Sequence, residues 1–362
     1  MFPFRPNLGI DNWSGEARER ARESVRMRRG EAVIRWRPVL ILTLIAPLLT
    51  ELLSTNVTLL QFLIQPWLYP FFATVGYGLP VLLIRETALR LRLGTPGLWC
   101  LGLIYGIYNE GLWAKTFLLT HNMPVHEFEG YGVVGGIALP WALTISIWHA
   151  LYAVVFPLTI VLYHCPKERD VPWVGRKTYF ALLAVIVNLS MLPFFIAGKP
   201  PHGAPAGTMA QLAFYAVVSG ALLGLALLLR RATTAEAEDA RGALRTAWLG
   251  VATLIAVLVV PIILAQRKVA LSGFYLFMLA VSVSVLLMLQ WINGRQSRII
   301  FALGGILGMA LFVLVIGGAG GSIDRCVSSV GFIVWAAVAL ARVHRRKTVP
   351  EGVGAAAGCQ GS

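Results

Sequence analysis

The chain has 362 residues, of which 57% are hydrophobic and 13% are charged, about half the charged fraction of an ordinary soluble domain. This composition excludes a typical soluble domain. The apolar residues lie in continuous blocks, and a bilayer crossing needs about 20 such residues, whereas membrane β-strands would show alternating segments of roughly 10. The net charge of +14 does not indicate nucleic acid, because the basic residues are concentrated in alternate loops.

We predict an all-α integral membrane bundle with about ten transmembrane helices. The approximate spans are 38–55, 67–84, 97–118, 136–163, 179–197, 208–229, 246–265, 271–292, 299–317 and 325–342. With the N-terminus inside, 26 of the 31 basic residues fall in inside segments and five in outside loops. The positive-inside rule therefore predicts that both termini are cytoplasmic, in a multi-pass protein of the plasma (inner) membrane.

The chain divides into four predicted parts. Residues 1–37 form a basic cytoplasmic segment, in which 14–31 is predicted to be a helix, either solvated beside the membrane or bound to anionic lipid or a partner. Residues 38–178 form a first transmembrane half that contains the polar candidate site. Residues 179–347 form a second half, mainly scaffold, and the Gly/Ala-rich tail 348–362 is predicted to be disordered.

Two glycine pairs in the second half have the small-xxx-small spacing that lets membrane helices approach closely. They are Gly220 with Gly224 and Gly304 with Gly308. The later spans are accordingly interpreted as scaffold, or as the lipid-contacting part of a pathway.

The third predicted span contains Glu110, an ionisable residue at membrane depth. Gly102, Gly106 and Glu110 recur every four residues on one helix face, so two glycines admit a neighbouring helix and Glu110 points into the contact. Tyr105 and Asn109 lie on an adjacent stripe. Ionisable residues inside a membrane usually face a partner or a water-filled cavity, so Glu110 marks a candidate site.

The fourth predicted span supplies His149, which shares a polar stripe with Ser146 and Tyr152 at three-residue spacing. Consecutive spans are usually neighbours, so we expect this stripe to meet Glu110. The span is longer than one crossing requires. It should tilt, protrude, or kink at Pro140 or Pro157.

Two further acidic residues accompany the site. Glu86 and Arg90 form an i,i+4 pair in the favourable order, which is either a salt bridge at a cytoplasmic helix end or a gate or headgroup contact beside the site. Glu51 ends the first span near the outer face, where it either caps the loop or joins the polar residues.

Three functions remain open for these residues. Glu110 and His149 form a coupling pair or ligand contact in a transporter or binding protein, our leading interpretation, with Asn109, Tyr105, Tyr152, Glu86 and Arg90 as further candidates. Alternatively, Glu110 is the general base of an intramembrane hydrolase, or the pair only fixes helix packing in a membrane scaffold. We expect membrane lipids and a small or lipid-like ligand as partners. We expect no cofactor and no metal, since Glu and His supply two ligands where catalytic zinc usually has three.

Four segments carry a resemblance to a known family: ELLSTN (51–56), GYGLPVLLIRETALR (76–90), YGIYNEGLWAKTF (105–117) and WHALYAVVFP (148–157). Together they resemble an uncharacterised family of prokaryotic polytopic membrane proteins, which implies a membrane bundle and no particular activity. The pattern is also faintly similar to CAAX-processing and bacteriocin-immunity type intramembrane proteases, which use a Glu-Glu pair. In this chain Asn109 stands at the position of the first Glu, and Lys115 comes one position after the basic residue of that motif.

Overall fold

The computed structural model describes residues 34–54, 56–198, 203–231, 242–292 and 294–348. The predicted N-terminal helix over 14–31 lies outside these residues, and so does the tail after residue 348.

Helices account for most of the described chain. In order they are α1 (Trp36–Pro47, continued by the π-helical turn Leu48–Leu52), α2 (Leu59–Ile64), α3 (Leu68–Arg90), α4 (Thr95–Gly106, continued by the π-helical turn Ile107–Trp113), α5 (Leu139–His164), α6 (Arg176–Phe195), α7 (Met209–Leu228), α8 (Ala243–Gln266), α9 (Leu271–Trp291), α10 (Arg295–Ala319) and α11 (Ile323–Thr348). The prediction of an all-α membrane bundle is confirmed.

One short antiparallel hairpin precedes α5. Its strands β1 (Val133–Val134) and β2 (Ile137–Ala138) are joined by Gly135 and Gly136, whose φ angles are +58° and +74°. Two consecutive positive φ angles suit a tight hairpin turn, and glycine adopts them without steric cost.

In the described part of the chain, eight helices, α3 and α5 to α11, are long and apolar enough to cross a membrane. Helix α1 is not among them because its 12 α-helical and 5 π-helical residues fall short of the roughly 20 that a crossing needs. Helix α4 is not among them either. The end of α4 also differs from the prediction. The helix ends at Trp113, because Lys115 has a left-handed φ of 57°, so the predicted end at residue 118 was wrong. The number ten therefore stays a prediction.

Helix α5 is the centre of the bundle. In its most apolar stretch 89% of the residues are buried, against 11% in α7. The outer helices present large apolar side chains to their surroundings, for example Leu192, Val217 and Val315. Water would make such faces costly, so they are the surfaces that contact lipid.

The helix ends meet on two sides of the bundle. On the side that contains Arg90, Thr95 and Arg295, which we call the basic side, Arg85 donates to the carbonyls of residues 168, 169 and 171. On the opposite side Tyr131 donates to the carbonyl of Val269 over 2.7 Å.

Glycines set two of the close helix contacts. A Cβ atom on Gly106 would lie 2.5 Å from Cα of Ser146, which confirms that α4 and α5 approach at the predicted glycines. A Cβ on Gly304 would lie 2.1 Å from the carbonyl oxygen of Ala247, so this pair joins α8 and α10. A Cβ on Gly220 or Gly224 meets nothing within 4 Å in the described part of the chain, so the spacing alone does not tell which helix face is packed.

Five π-helical turns interrupt these helices, at Leu48–Leu52, Phe72–Gly76, Ile107–Trp113, Ala150–Val155 and Ile255–Val259. Proline explains several of them, because it lacks an N–H and its ring displaces the carbonyl four residues earlier. For Pro80, Pro157 and Pro261 the carbonyl four residues earlier lies within a π-helical turn. In α5 the irregularity expected near Pro157 therefore takes the form of a π turn.

Candidate functional site

The structure brings Glu110 and His149 into direct contact. Oε1 of Glu110 lies 3.5 Å from Nε2 of His149, where α4 packs on α5. The His149 side chain is 1% exposed, whereas the Glu110 side chain keeps 12% exposure. The imidazole of His149 is therefore buried between the helices, whereas the carboxyl group of Glu110 reaches the edge of the contact between α4 and α5.

The two ring nitrogens of His149 have different tasks. Nδ1 lies 2.9 Å from the carbonyl oxygen of Ile145, and because a carbonyl can only accept, Nδ1 carries a proton. Nε2 lies 3.2 Å from the amide nitrogen of Asn109. A neutral ring accepts from Asn109 at Nε2, whereas a protonated ring donates from Nε2 towards Glu110. The protonation state of Nε2 therefore decides whether it pairs with Asn109 or with Glu110.

Asn109 and Tyr105 connect this pair to α3. The Asn109 amide donates to the Tyr105 hydroxyl over 3.0 Å, and that hydroxyl donates to the Gly76 carbonyl over 2.7 Å. The carbonyl is available because residue 80 is a proline, which cannot supply the N–H that a regular helix would place there.

Glu51 joins the site through Tyr77, a residue that the sequence analysis did not single out. The Tyr77 hydroxyl donates to Oε1 of Glu51 over 2.5 Å. The Tyr77 ring is nearly parallel to the His149 ring, with 4° between the planes and 6.3 Å between the centroids. Of the two alternatives for Glu51, the structure therefore shows the one in which it joins the polar residues.

Thr116, which the sequence analysis also did not single out, contacts the other carboxylate oxygen of Glu110. Its hydroxyl donates to Oε2 of Glu110 and accepts from Nε1 of Trp141 over 2.9 Å. It reaches Glu110 because the chain turns at Lys115 instead of continuing as a helix. We call the following residues the polar cluster: Glu51, Tyr77, Tyr105, Asn109, Glu110, Thr116 and His149.

Each helix that contributes to the polar cluster has a π-helical turn at that point. Glu51 and Glu110 lie within such turns, Tyr77 directly follows one, and His149 directly precedes one. Single π turns inside α-helices occur frequently at functional sites. Here they form around one group of buried polar side chains, on four separate helices.

Tyr152 does not belong to the cluster, contrary to the predicted polar stripe. Its hydroxyl donates to the Gly305 carbonyl of α10 over 2.9 Å, and its ring stacks on Trp148. The physical reason is the π turn Ala150–Val155, which rotates each residue by less than a regular helix does. The three-residue spacing from His149 therefore leads to a different face.

Glu86 and Arg90 form the predicted ion pair, but at the basic side and apart from the polar cluster. The Glu86 side chain is fully buried and also pairs with Arg85 over 2.5 Å, while it accepts from the backbone N–H of Trp173 over 2.8 Å. Arg90 donates to the Val174 carbonyl over 2.8 Å. This second cluster ties the end of α3 to the loop before α6.

Two cavities in the described part of the chain lie apart from the polar cluster. Cavities of about 360 and 530 Å³ both lie at the basic side, and no residue of the polar cluster lines either one. Four helices pack around the cluster, and the Glu110 side chain keeps 12% exposure at its edge. Within the described ranges, no three His, Cys, Asp or Glu side chains group as metal ligands.

Comparison with known proteins adds the family. No curated protein and no solved structure matches the chain. A family model does match, over residues 40–349, which cover all of the described helices except the first residues of α1. The expected membership in an uncharacterised polytopic family is thereby confirmed: the chain belongs to an uncharacterized membrane protein family.

Proposed function

We propose that this membrane protein binds and transports a small or lipid-like ligand through the polar cluster, in the plasma (inner) membrane. The observation that carries the proposal is the contact of 3.5 Å between Glu110 and His149 among membrane-crossing helices. Ionisable groups at such depth are costly, and they commonly mark ligand or proton pathways.

The charge of the polar cluster indicates the class of ligand. It contains two carboxyl groups, Glu51 and Glu110, and neither has a Lys or Arg ion-pair partner in the described part of the chain. The nearest lysine in sequence, Lys115, instead donates to the carbonyls of Ile196 and Pro205. A cationic ligand would supply the missing positive charge, and a lipophilic cation would also tolerate the apolar surroundings.

His149 provides a way to exchange this cation for a proton. Without ligand, one proton is held between Nε2 and the Glu110 carboxyl group, 3.5 Å apart, so that Glu110 carries no unbalanced charge. When a cation pairs with Glu110, the ring becomes neutral and Nε2 accepts from Asn109 at 3.2 Å. The released proton and the bound cation thus compete for one carboxylate, which is the basis of coupled exchange.

A hydrolase is the second candidate, because one observation favours it. The Ile145 carbonyl accepts from Nδ1 of His149 and so holds the ring in one orientation, as backbone carbonyls and carboxylates do for other functional imidazoles. The partly exposed Glu110 would then act as the general base towards a water molecule. In this case Glu110 takes a proton from water, the hydroxide adds to the scissile bond, and the proton passes to the leaving group, so that two products leave and no cation moves.

The test uses proteoliposomes containing the full chain and tetraphenylphosphonium as the lipophilic cation. We expect uptake with an opposite proton flux, at least tenfold slower in Glu110→Gln. The matched control is Glu127→Gln, which alters a loop carboxylate that pairs with the exposed His126. The control should keep wild-type uptake.

Other outcomes decide between the alternatives. Absence of uptake, together with lipid or peptide cleavage products that disappear in Glu110→Gln, would favour the hydrolase. If the substitutions Glu110→Gln and His149→Gln change only the thermal stability, and the wild type shows neither uptake nor products, the pair has a structural role.

A further inference from the structure

We infer a second ligand site, for the phosphate headgroup of an anionic lipid, in the cavity of about 360 Å³ at the basic side. The cavity lies between the beginning of α4, the second part of α5, the end of α9 and the beginning of α10. It shares no residue with the polar cluster, so this site does not depend on the proposed transport function.

The mouth of the cavity is positively charged. Arg169, Arg295 and Arg298 line it together with one acidic residue, Asp170, which leaves a formal charge of +2. Arginine is suited to phosphate because its planar guanidinium group offers five N–H donors in a fixed geometry. Three arginines around one cavity therefore form a recognition site for an oxyanion.

Two of these arginines are held in position by the surrounding helix ends. Arg295 donates to the carbonyl of Tyr163, and its guanidinium carbon lies 4.9 Å from the centroid of the Tyr163 ring. Arg298 donates to the carbonyl of Ile292 over 3.2 Å and to the hydroxyl of Thr95 over 3.4 Å. Positioned guanidinium groups lose less entropy on binding than free surface side chains do.

The beginning of α10 adds to the positive potential. Arg295 and Arg298 occupy its first turn, which contains no acidic residue. The N-terminal end of a helix already carries a partial positive charge and favours anions, so cations placed there repel it. A bound phosphate group would convert this unfavourable arrangement into a favourable one.

The interior of the cavity distinguishes a lipid from free phosphate. Its walls include Leu98, Leu158, Ile292 and Phe301, which offer nothing to a hydrated ion but would bury glycerol and acyl carbons. The volume lies within the range of roughly 300–1,000 Å³ seen for small-molecule sites. A basic pocket between helices near the membrane surface is also where anionic lipid headgroups bind in other membrane proteins.

The experiment titrates the full-length protein, in a neutral detergent, with dioctanoylphosphatidylglycerol and counts bound molecules by native mass spectrometry. We expect saturable binding that is at least tenfold weaker in Arg295→Gln/Arg298→Gln. The matched control, Arg37→Gln/Arg92→Gln, removes two exposed charges near the basic side that do not line the cavity, and should bind as the wild type does.

A second variant keeps every charge and protects the test against misfolding. Leu98→Phe fills part of the cavity, so it should weaken binding of the lipid while the arginines remain. Equal binding of dioctanoylphosphatidylcholine would overturn the inference, because the headgroup charge would not matter. Inorganic phosphate that binds equally well to the wild type and to Leu98→Phe would also overturn it. So would the absence of lipid binding to the wild type, or an equal loss of lipid binding in Arg37→Gln/Arg92→Gln.

Discussion

The hydroxyl of Tyr105 in α4 donates a hydrogen bond of 2.7 Å to the carbonyl of Gly76 in α3. Both groups are buried, and the carbonyl lacks its usual helical partner because residue 80 is a proline. The same hydroxyl accepts from Asn109, which faces His149. An irregularity in one helix backbone is therefore linked, through two side chains, to the imidazole of the candidate site.

Removal of this hydroxyl should destabilise the protein. Tyr105→Phe leaves the Gly76 carbonyl without a partner in a buried place, at a cost of about 1–3 kcal/mol in the free energy of unfolding. The matched control is Tyr108→Phe. Tyr108 is a partly buried residue, and its hydroxyl makes a longer bond of 3.3 Å to the Val75 carbonyl. Thermal unfolding in detergent compares the two, and an equal loss in both variants would contradict the special role of Tyr105.

A second prediction concerns Gly78, which follows the π turn in α3: an alanine at this position should destabilise the protein. A Cβ atom at this position would lie 1.8 Å from the carbonyl oxygen of Ala73, so Gly78→Ala must distort the backbone beside Tyr77. We expect at least about 3 kcal/mol of destabilisation, at the upper end of overpacking effects. Gly220→Ala, which meets nothing within 4 Å, should be neutral or stabilising by up to about 1 kcal/mol. Expression level and unfolding temperature measure both.

The contact between Glu110 and His149 and the pair of Glu86 and Arg90 can be predicted from the sequence, because both depend on residues that are close in sequence or on consecutive helices. Glu110 and His149 lie in consecutive helices, and the glycines before Glu110 mark the face on which α5 packs. The i,i+4 pair of Glu86 and Arg90 needs only a regular helix, and the structure shows it.

Other parts depend on irregular backbone that periodicity does not reveal. Tyr77 meets Glu51 and His149 only because of a π turn in α3, and Thr116 reaches Glu110 only because the helix stops early. Tyr152 points towards α10 for a similar reason. A spacing rule based on the regular helix fails at such positions, and these are the positions that build the polar cluster.

The ion cluster at the basic side should contribute strongly to stability. In Glu86→Gln the buried Arg85 loses its charged partner, and such a loss typically costs about 3–5 kcal/mol. Glu168→Gln is the control. It breaks the pair with Arg35 nearer the surface, where water replaces the lost contact, and we expect a smaller change. Chemical denaturation of both variants in the same detergent tests the order, and a reversed order would contradict it.

The proposed orientation can be checked with two exposed positions on opposite sides of the bundle. On a background without the native cysteines, a membrane-impermeant maleimide should label His126→Cys in intact cells, because that side chain is 82% exposed on the proposed outer side. Arg92→Cys, exposed at the basic side, should react only after permeabilisation. The reverse pattern would show that the N-terminus is outside.

The contact between Glu110 and His149 should appear as a coupling energy. In a double-mutant cycle with Glu110→Gln and His149→Gln, we expect the double variant to depart from additivity by about 0.5–3 kcal/mol, as residues in one hydrogen-bonded network do. A matched cycle of Glu110→Gln with Tyr152→Phe should be additive within about 0.5 kcal/mol, because Tyr152 bonds to α10 instead.

The coupling energy and the transport assay together show whether the contact between Glu110 and His149 serves packing or proton exchange. If the pair serves only packing, its coupling energy is present and tetraphenylphosphonium uptake is insensitive to either substitution. If the pair exchanges a proton for a cation, His149→Gln abolishes the linked proton flux even where folding is retained, since an amide cannot take up the proton that Nε2 holds. A coupling energy near zero, with Glu110→Gln as stable as the wild type, would mean that the two side chains act independently.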